Sequence, residues 1–95
     1  MDRQVDLVII GAGPGGMTAA LYASRAGLRT LMLDASAPGG KLLKTYLIDN
    51  YPGLPETPGP DLAIQMYQQS VAFGAAFETG EVETVTADKQ VLLKN

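Results

Sequence analysis

Val5-Asp6-Leu7-Val8-Ile9-Ile10-Gly11-Ala12-Gly13-Pro14-Gly15-Gly16 runs an apolar strand straight into a glycine turn, and Asp34 follows 23 residues beyond Gly11. The spacing Gly11-x-Gly13-x-x-Gly16 predicts a pocket for the pyrophosphate and ribose of a dinucleotide, because each glycine has a mechanical task. Gly11 makes the tight turn from strand to helix. Gly13 admits a phosphate against the backbone with no Cβ in its way. Gly16 lets the helix lie close on the strand. The phosphates then rest on the positive end of the helix, where amides lack intrahelical acceptors. Pro14 removes one donor there, at a position where it would have no intrahelical partner anyway. Asp34 would accept hydrogen bonds from the adenosine ribose and repel a 2′-phosphate, which favours NAD or FAD over NADP at this site. The competing reading is a tight strand–helix turn that holds no ligand, with Asp34 a solvated acid in a loop.

Outward from this stretch the pattern is that of an α/β chain. The nearly continuous apolar run 5–10 predicts a strand buried on both faces, as in the centre of a parallel sheet. A helix is expected over Gly16–Ala26, with Ala19, Ala20, Ala23 and Ala26 on its apolar face and Gly27 as its stop. Thr30–Leu33 reads as a second buried strand ending at Asp34. So short a strand–helix–strand unit implies a right-handed crossover onto a parallel neighbour. Residues 35–59 hold four of the six prolines. A connection of that length in a compact domain is usually functional or disordered, and disorder is the weaker reading here. Its Leu42, Leu43, Tyr46, Leu47, Ile48 and Tyr51 are too apolar for a solvated linker, so it is expected to cover a ligand and to contain short helical pieces. A second helix is expected from Pro60, with Asp61 in its positive first turn. Its apolar stripe is Leu62, Met66 and Phe73 with Ala63, Tyr67 and Val71, and Gly74 ends it. From Phe77 to Lys94 alternation predicts two or three strands, a small β appendage with a turn near Asp88-Lys89.

Composition narrows the chemistry. The 95 residues include no cysteine and no histidine, which excludes a thiol nucleophile, a disulfide, a Ser-His-Asp triad and a His/Cys zinc site. Redox chemistry would have to come from a bound cofactor. The net charge is −3 without any block of like charges, so the electrostatic footprint for nucleic acid or an anionic membrane is missing. Phosphate must then be held by backbone amides. The first apolar run, flanked by Asp2 and Asp6, is far too short for a signal core or a membrane span, and a cytoplasmic setting is the default expectation. Length permits one small domain over residues 1–95.

The glycine turn and the acid do not separate FAD from NAD. Gly39-Gly40-Lys41-Leu42 says more: side-chain-free backbone lets a long flat ligand lie across the loop, and Lys41 could stabilise charge on a reduced flavin. On composition alone the favoured reading of Lys41 and Lys44 is that of ordinary surface lysines.

Taken together, Gly11-Ala-Gly-Pro-Gly-Gly16, Gly39-Gly-Lys-Leu42, Ile48-Asp-Asn-Tyr-Pro-Gly53 and Gly59-Pro-Asp-Leu62 resemble the N-terminal FAD-binding segment of bacterial thioredoxin reductases, over essentially the whole chain. The resemblance implies a partial Rossmann-like FAD-binding domain. Gly11, Ala12, Gly13 and Gly16 would cradle the FAD pyrophosphate, with Pro14 and Gly15 completing that turn. Asp34 would lie at the ribose. Gly39, Gly40, Lys41, Leu42, Thr45 and Asn50 would approach the ribityl chain and flavin ring, and the backbone near Val82 would meet the adenine. Lys41 stands where the family often has Gln. The family's NADPH domain, its Cys-x-x-Cys pair and the C-terminal segment that completes its FAD site have no counterpart in these 95 residues, so the expectation is a fragment without turnover of its own. The parent would pass electrons from NADPH through FAD to a disulfide of a thioredoxin-like protein. Two rivals stay open: a ferredoxin–NADP reductase of the thioredoxin-reductase-like type, with ferredoxin as partner, and a cofactor-free module that hides its unpaired strand edges in a homodimer.

Overall fold

The structure, a computed structural model, describes residues 3–94; Met1, Asp2 and the final residue of the expected 1–95 domain lie outside them. Strands β1 (Leu7–Ile10), β2 (Thr30–Asp34) and β3 (Ala76–Thr79) form an all-parallel sheet in the order β1-β2-β3. Leu7 pairs with Thr30, Ile10 with Leu33, and Asp34 with Thr79. That register brings the carboxyl ends of all three strands level at one edge of the molecule. The expected strand–helix–strand unit is present, with α1 (Pro14–Arg25) joining β1 to its parallel neighbour β2.

Two expectations about the sheet are corrected. β1 is not the central strand: its residues are only half-buried, and Ile10 is 55% exposed. The centre belongs to β2, whose Leu31, Met32 and Leu33 are all buried because a strand flanks each of its edges. β3, expected within a β appendage, instead joins the main sheet. A parallel return needs a long crossover, and residues 35–58 with α2 (Gly59–Ala72) supply it. Only β4 (Val82–Val85) and β5 (Val91–Leu93) form the separate antiparallel hairpin. Its turn carries Lys89 at φ 67, held where the Gln90 N–H donates to Thr86 Oγ1 at 3.0 Å.

α1 begins two residues earlier than expected, because the fixed φ of Pro14 suits a first helical position. Its buried stripe is Met17, Ala20 and Ser24, spaced three and four apart, which turns Ala19 and Ala26 out to solvent. In α2 the buried residues are Gly59, Leu62, Ala63 and Ser70. Ser70 is tolerated there because its hydroxyl donates to the Tyr67 carbonyl at 2.8 Å. Phe73 leaves the predicted stripe. It caps the helix rather than continuing it, is 53% exposed, and its ring lies 5.5 Å from the Arg25 guanidinium. The core joins both helices to the sheet: Ala12, Met17, Ala20, Met32 and Ala75, with Tyr67 and Phe77 meeting edge to face at 6.1 Å alongside.

Residues 35–58 are ordered by their own hydrogen bonds. A 3-10 helix covers Gly40–Lys44. Further on, Ile48 and Thr57 exchange backbone bonds of 2.7 and 2.9 Å, closing the tip of the loop. Among the described residues no helix is long and apolar enough to cross a membrane.

Candidate functional site

The glycine turn sits at the carboxyl edge of the sheet, where open parallel sheets bind their ligands. The Gly11 N–H donates to the Leu33 carbonyl at 2.7 Å, anchoring the turn to β2. Gly13 is the N-cap of α1, and its carbonyl accepts the first helical bond, from the Met17 N–H at 2.9 Å. No side chain caps this helix, and Pro14 has no N–H. The amides of Gly13, Gly15 and Gly16 therefore have no intrachain acceptor among the described residues. Three donors beside a positive helix end, none of them bonded to a side chain of the described residues, fit an anionic oxygen-rich group such as a phosphate.

Glycine at these positions serves different ends. A Cβ on Gly16 would stand 2.0 Å from the Gly11 oxygen, so this residue exists for the close passage of helix over turn. A Cβ on Gly13 would find only the Gly40 Cα, at 4.0 Å, and one on Gly15 would find nothing within 4 Å. The chain itself thus needs Gly16 bare, while bareness at Gly13 and Gly15 keeps open the space over the helix end.

The second glycine pair closes on the first. The Gly39 N–H donates to the Ala12 carbonyl at 2.7 Å, and a Cβ on Gly40 would come within 3.1 Å of the Gly13 Cα. Gly39 has φ 129, and its own Cβ would strike that of Ala63 in α2 at 2.8 Å. The 3-10 helix that follows is held from the far side, where the Gly59 N–H donates to the Thr45 carbonyl at 3.1 Å and the Thr45 hydroxyl donates to the Lys41 carbonyl at 2.9 Å. Gly11–Gly16, Asp34 and Gly39–Gly40 are therefore one constellation, with Leu42 and Thr45 half-buried beside it and Lys41 exposed. The Gly80 N–H donates to the Asp34 carbonyl at 2.8 Å, which brings the start of the hairpin and Val82 to the same edge. Asn50 stands apart: it is exposed, and among the described residues no hydrogen bond ties it to the turn. Its neighbour Tyr51 lines a shallow cleft with Met17, Thr18 and Tyr22 of α1. A larger cleft, lined by Arg3, Val5, Arg29 and Gly74, lies at the opposite end of the sheet and shares nothing with the glycine turn.

Asp34 is half-buried, and its carboxylate is already engaged. Oδ2 accepts the Ala12 N–H at 2.8 Å and Oδ1 accepts the Ser36 N–H at 3.1 Å. Ser36 lies outside the set of residues the sequence points to, although Asp34-Ala35-Ser36 is the pattern of an acid that bonds the backbone two residues on. Chiefly through the Ala12 amide, these bonds hold the Asp34 carboxyl below the usual carboxylate range. The unfolded chain has the ordinary value, about 3.9. The stabilisation is therefore fully present above that value and is lost as pH falls towards the lower folded one. Denaturant unfolding at pH 7 and pH 3 should show the wild type losing more stability between the two than Asp34→Ala does. Equal losses would show that the carboxylate carries no such linkage.

The sequence pattern of the pyridine nucleotide-disulphide oxidoreductase family matches residues 5–95. The thioredoxin reductase of Listeria monocytogenes is 47% identical over 89 residues, which are 94% of this chain and 28% of that protein. The thioredoxin reductase of Bacillus subtilis is 45% identical with the same coverage of both chains. The crystal structure of Lactococcus lactis thioredoxin reductase matches with a TM-score of 0.89 at 37% identity, covering 97% of this chain and 31% of that one. The chain thus spans less than a third of the length of these relatives.

Proposed function

The chain belongs to the pyridine nucleotide-disulphide oxidoreductase family, and from that premise we propose that it forms the pyrophosphate-binding part of an FAD site in a thioredoxin-reductase-like flavoprotein. The observation that carries this reading is the uncapped start of α1, whose Gly13, Gly15 and Gly16 amides have no acceptor among the described residues, with the Gly39–Gly40 backbone closed against it. Those amides and the positive helix end hold the pyrophosphate. Asp34 keeps spare lone pairs on its carboxylate for the ribose hydroxyls. Gly39, Gly40, Lys41, Leu42 and Thr45 form the side facing the ribityl chain and ring, Asn50 approaches that ring from outside the glycine constellation, and the backbone near Val82 borders the adenine.

Bound FAD supplies two-electron redox chemistry, and the activity proposed for the whole protein is electron transfer from NADPH to a protein disulfide, with a thioredoxin-like protein as acceptor. A homodimer and a cytoplasmic setting belong to the same reading. The direct test is to mix the purified chain with FAD, separate protein from free ligand by gel filtration and record flavin absorbance in the protein fraction. Flavin should co-elute, and ADP should displace it far better than riboflavin does. Folded protein that carries no flavin overturns the assignment.

A further inference from the structure

We propose that Asp34 is a positioning residue of the phosphate-binding turn, in which its carboxylate holds the Ala12 peptide in place independently of any contact with a ribose. This rests on the reading of the turn as a phosphate site and adds a second task for the acid. The Ala12 side chain is fully buried against Met17, Ala20 and Met32. Both of its backbone polar groups are spoken for, the N–H by Asp34 Oδ2 at 2.8 Å and the carbonyl by the Gly39 N–H at 2.7 Å. Peptide planarity turns these two bonds into aim. The Gly11–Ala12 plane carries the Gly11 carbonyl over which Gly16 passes. The Ala12–Gly13 plane carries the Gly13 N–H, antiparallel to the carbonyl that Gly39 holds. A phosphate donor and the helix passage are thus set by two planes pinned on either side of Ala12.

Asp34 can act as a fixed post because it is itself held. Oδ1 takes the Ser36 N–H, its carbonyl takes the Gly80 N–H, and the residue is paired with Thr79 in the sheet. Ala12 offers no free amide to a ligand. Its place in the site is to orient Gly13.

The test separates this role from ribose contact. Amide hydrogen exchange of the chain without nucleotide is compared in wild type, Asp34→Ala and Asp34→Asn. Affinity is measured with 2′,3′-dideoxy-ADP, which has the phosphates but lacks the ribose hydroxyls. In Asp34→Ala the Ala12 amide should exchange about tenfold faster or more, while the buried Leu33 amide stays protected, and dideoxy-ADP should bind about tenfold more weakly. An acid that only touches ribose predicts the reverse for the probe, since removing a negative charge near phosphates leaves affinity unchanged or raises it. Asp34→Asn is isosteric with one acceptor oxygen instead of two, so faster exchange is expected at Ala12 or Ser36. Unchanged protection at both, or unchanged dideoxy-ADP affinity in Asp34→Ala, overturns the proposal. If the wild type binds neither FAD nor the probe, the flavin reading falls, and the exchange of Ala12 alone decides the role of Asp34.

Discussion

Gly13→Val should fold as the wild type does and lose FAD. Gly13 has φ −78 and ψ −172, extended backbone open to any residue and well suited to valine. A Cβ there meets only the Gly40 Cα, at an ordinary 4.0 Å. The fold therefore leaves room for a Cβ here, and the structural cost is that of a poorer N-cap, about 1 kcal/mol or less. The new side chain instead fills the space in front of the uncapped α1 amides. Losing two charge-assisted amide–phosphate bonds, each worth about 1.5–3 kcal/mol, corresponds to at least about a 100-fold fall in FAD affinity. The denaturant midpoint should fall only slightly, by the about 1 kcal/mol or less that an apolar N-cap costs against glycine, with Gly13→Ala giving the same pattern in milder form. The two readouts together are decisive: a folded variant that retains flavin shows that no phosphate lies against Gly13.

What the sequence made legible follows from how local each constraint is. The strand-to-helix turn from Ile10 to Met17, the stop at Gly27, the Asp61 start of α2 and the Asp88-Lys89 turn are all signalled by residue types within a few positions, and the structure has each of them. The sheet order is a different kind of fact. Leu7–Ile10 carries the composition of a central strand, yet β2 sits at the centre because β3 pairs with it across a gap of more than 40 residues. No periodicity within either strand encodes that choice. Phe73 misled for a related reason, since its stripe position is helical arithmetic carried one residue past where the helix ends.

The candidate site divides the same way. That Asp34 belongs with the glycine turn could be read from the end of the second strand. That its carboxylate grips the Ala12 amide could not, because the bond exists only once Ile10 pairs with Leu33 and brings the two strand ends level. The approach of Gly40 to Gly13 is of the same sort. It requires a long loop to fold back, and a pair of adjacent glycines signals only that something comes near.

Gly16→Ala should do the opposite of Gly13→Val and cost the fold itself. Its Cβ would stand 2.0 Å from the Gly11 oxygen, 3.0 Å from the Gly11 carbon and 3.3 Å from Ile9 Cγ2. Two of these three atoms are backbone, pinned by the Gly11 bond to Leu33 and the Asp34 bond to Ala12. Relief would require α1 to lift off the turn by more than an ångström, pulling Met17 and Ala20 from the core they share with Met32. Overpacking against side chains costs about 1–3 kcal/mol, and a clash with fixed backbone should exceed that range. A small domain has little reserve to absorb such a loss. The expected result is a denaturant midpoint lowered to the point where the native baseline disappears. Gly15→Ala is the matched control, one position away with nothing within 4 Å of its Cβ. Alanine's better helix propensity should leave its stability unchanged or raise it by about 0.5–1 kcal/mol. Equal stability in the two variants would mean that the helix does not pass the turn as closely as the Gly11–Gly16 geometry requires.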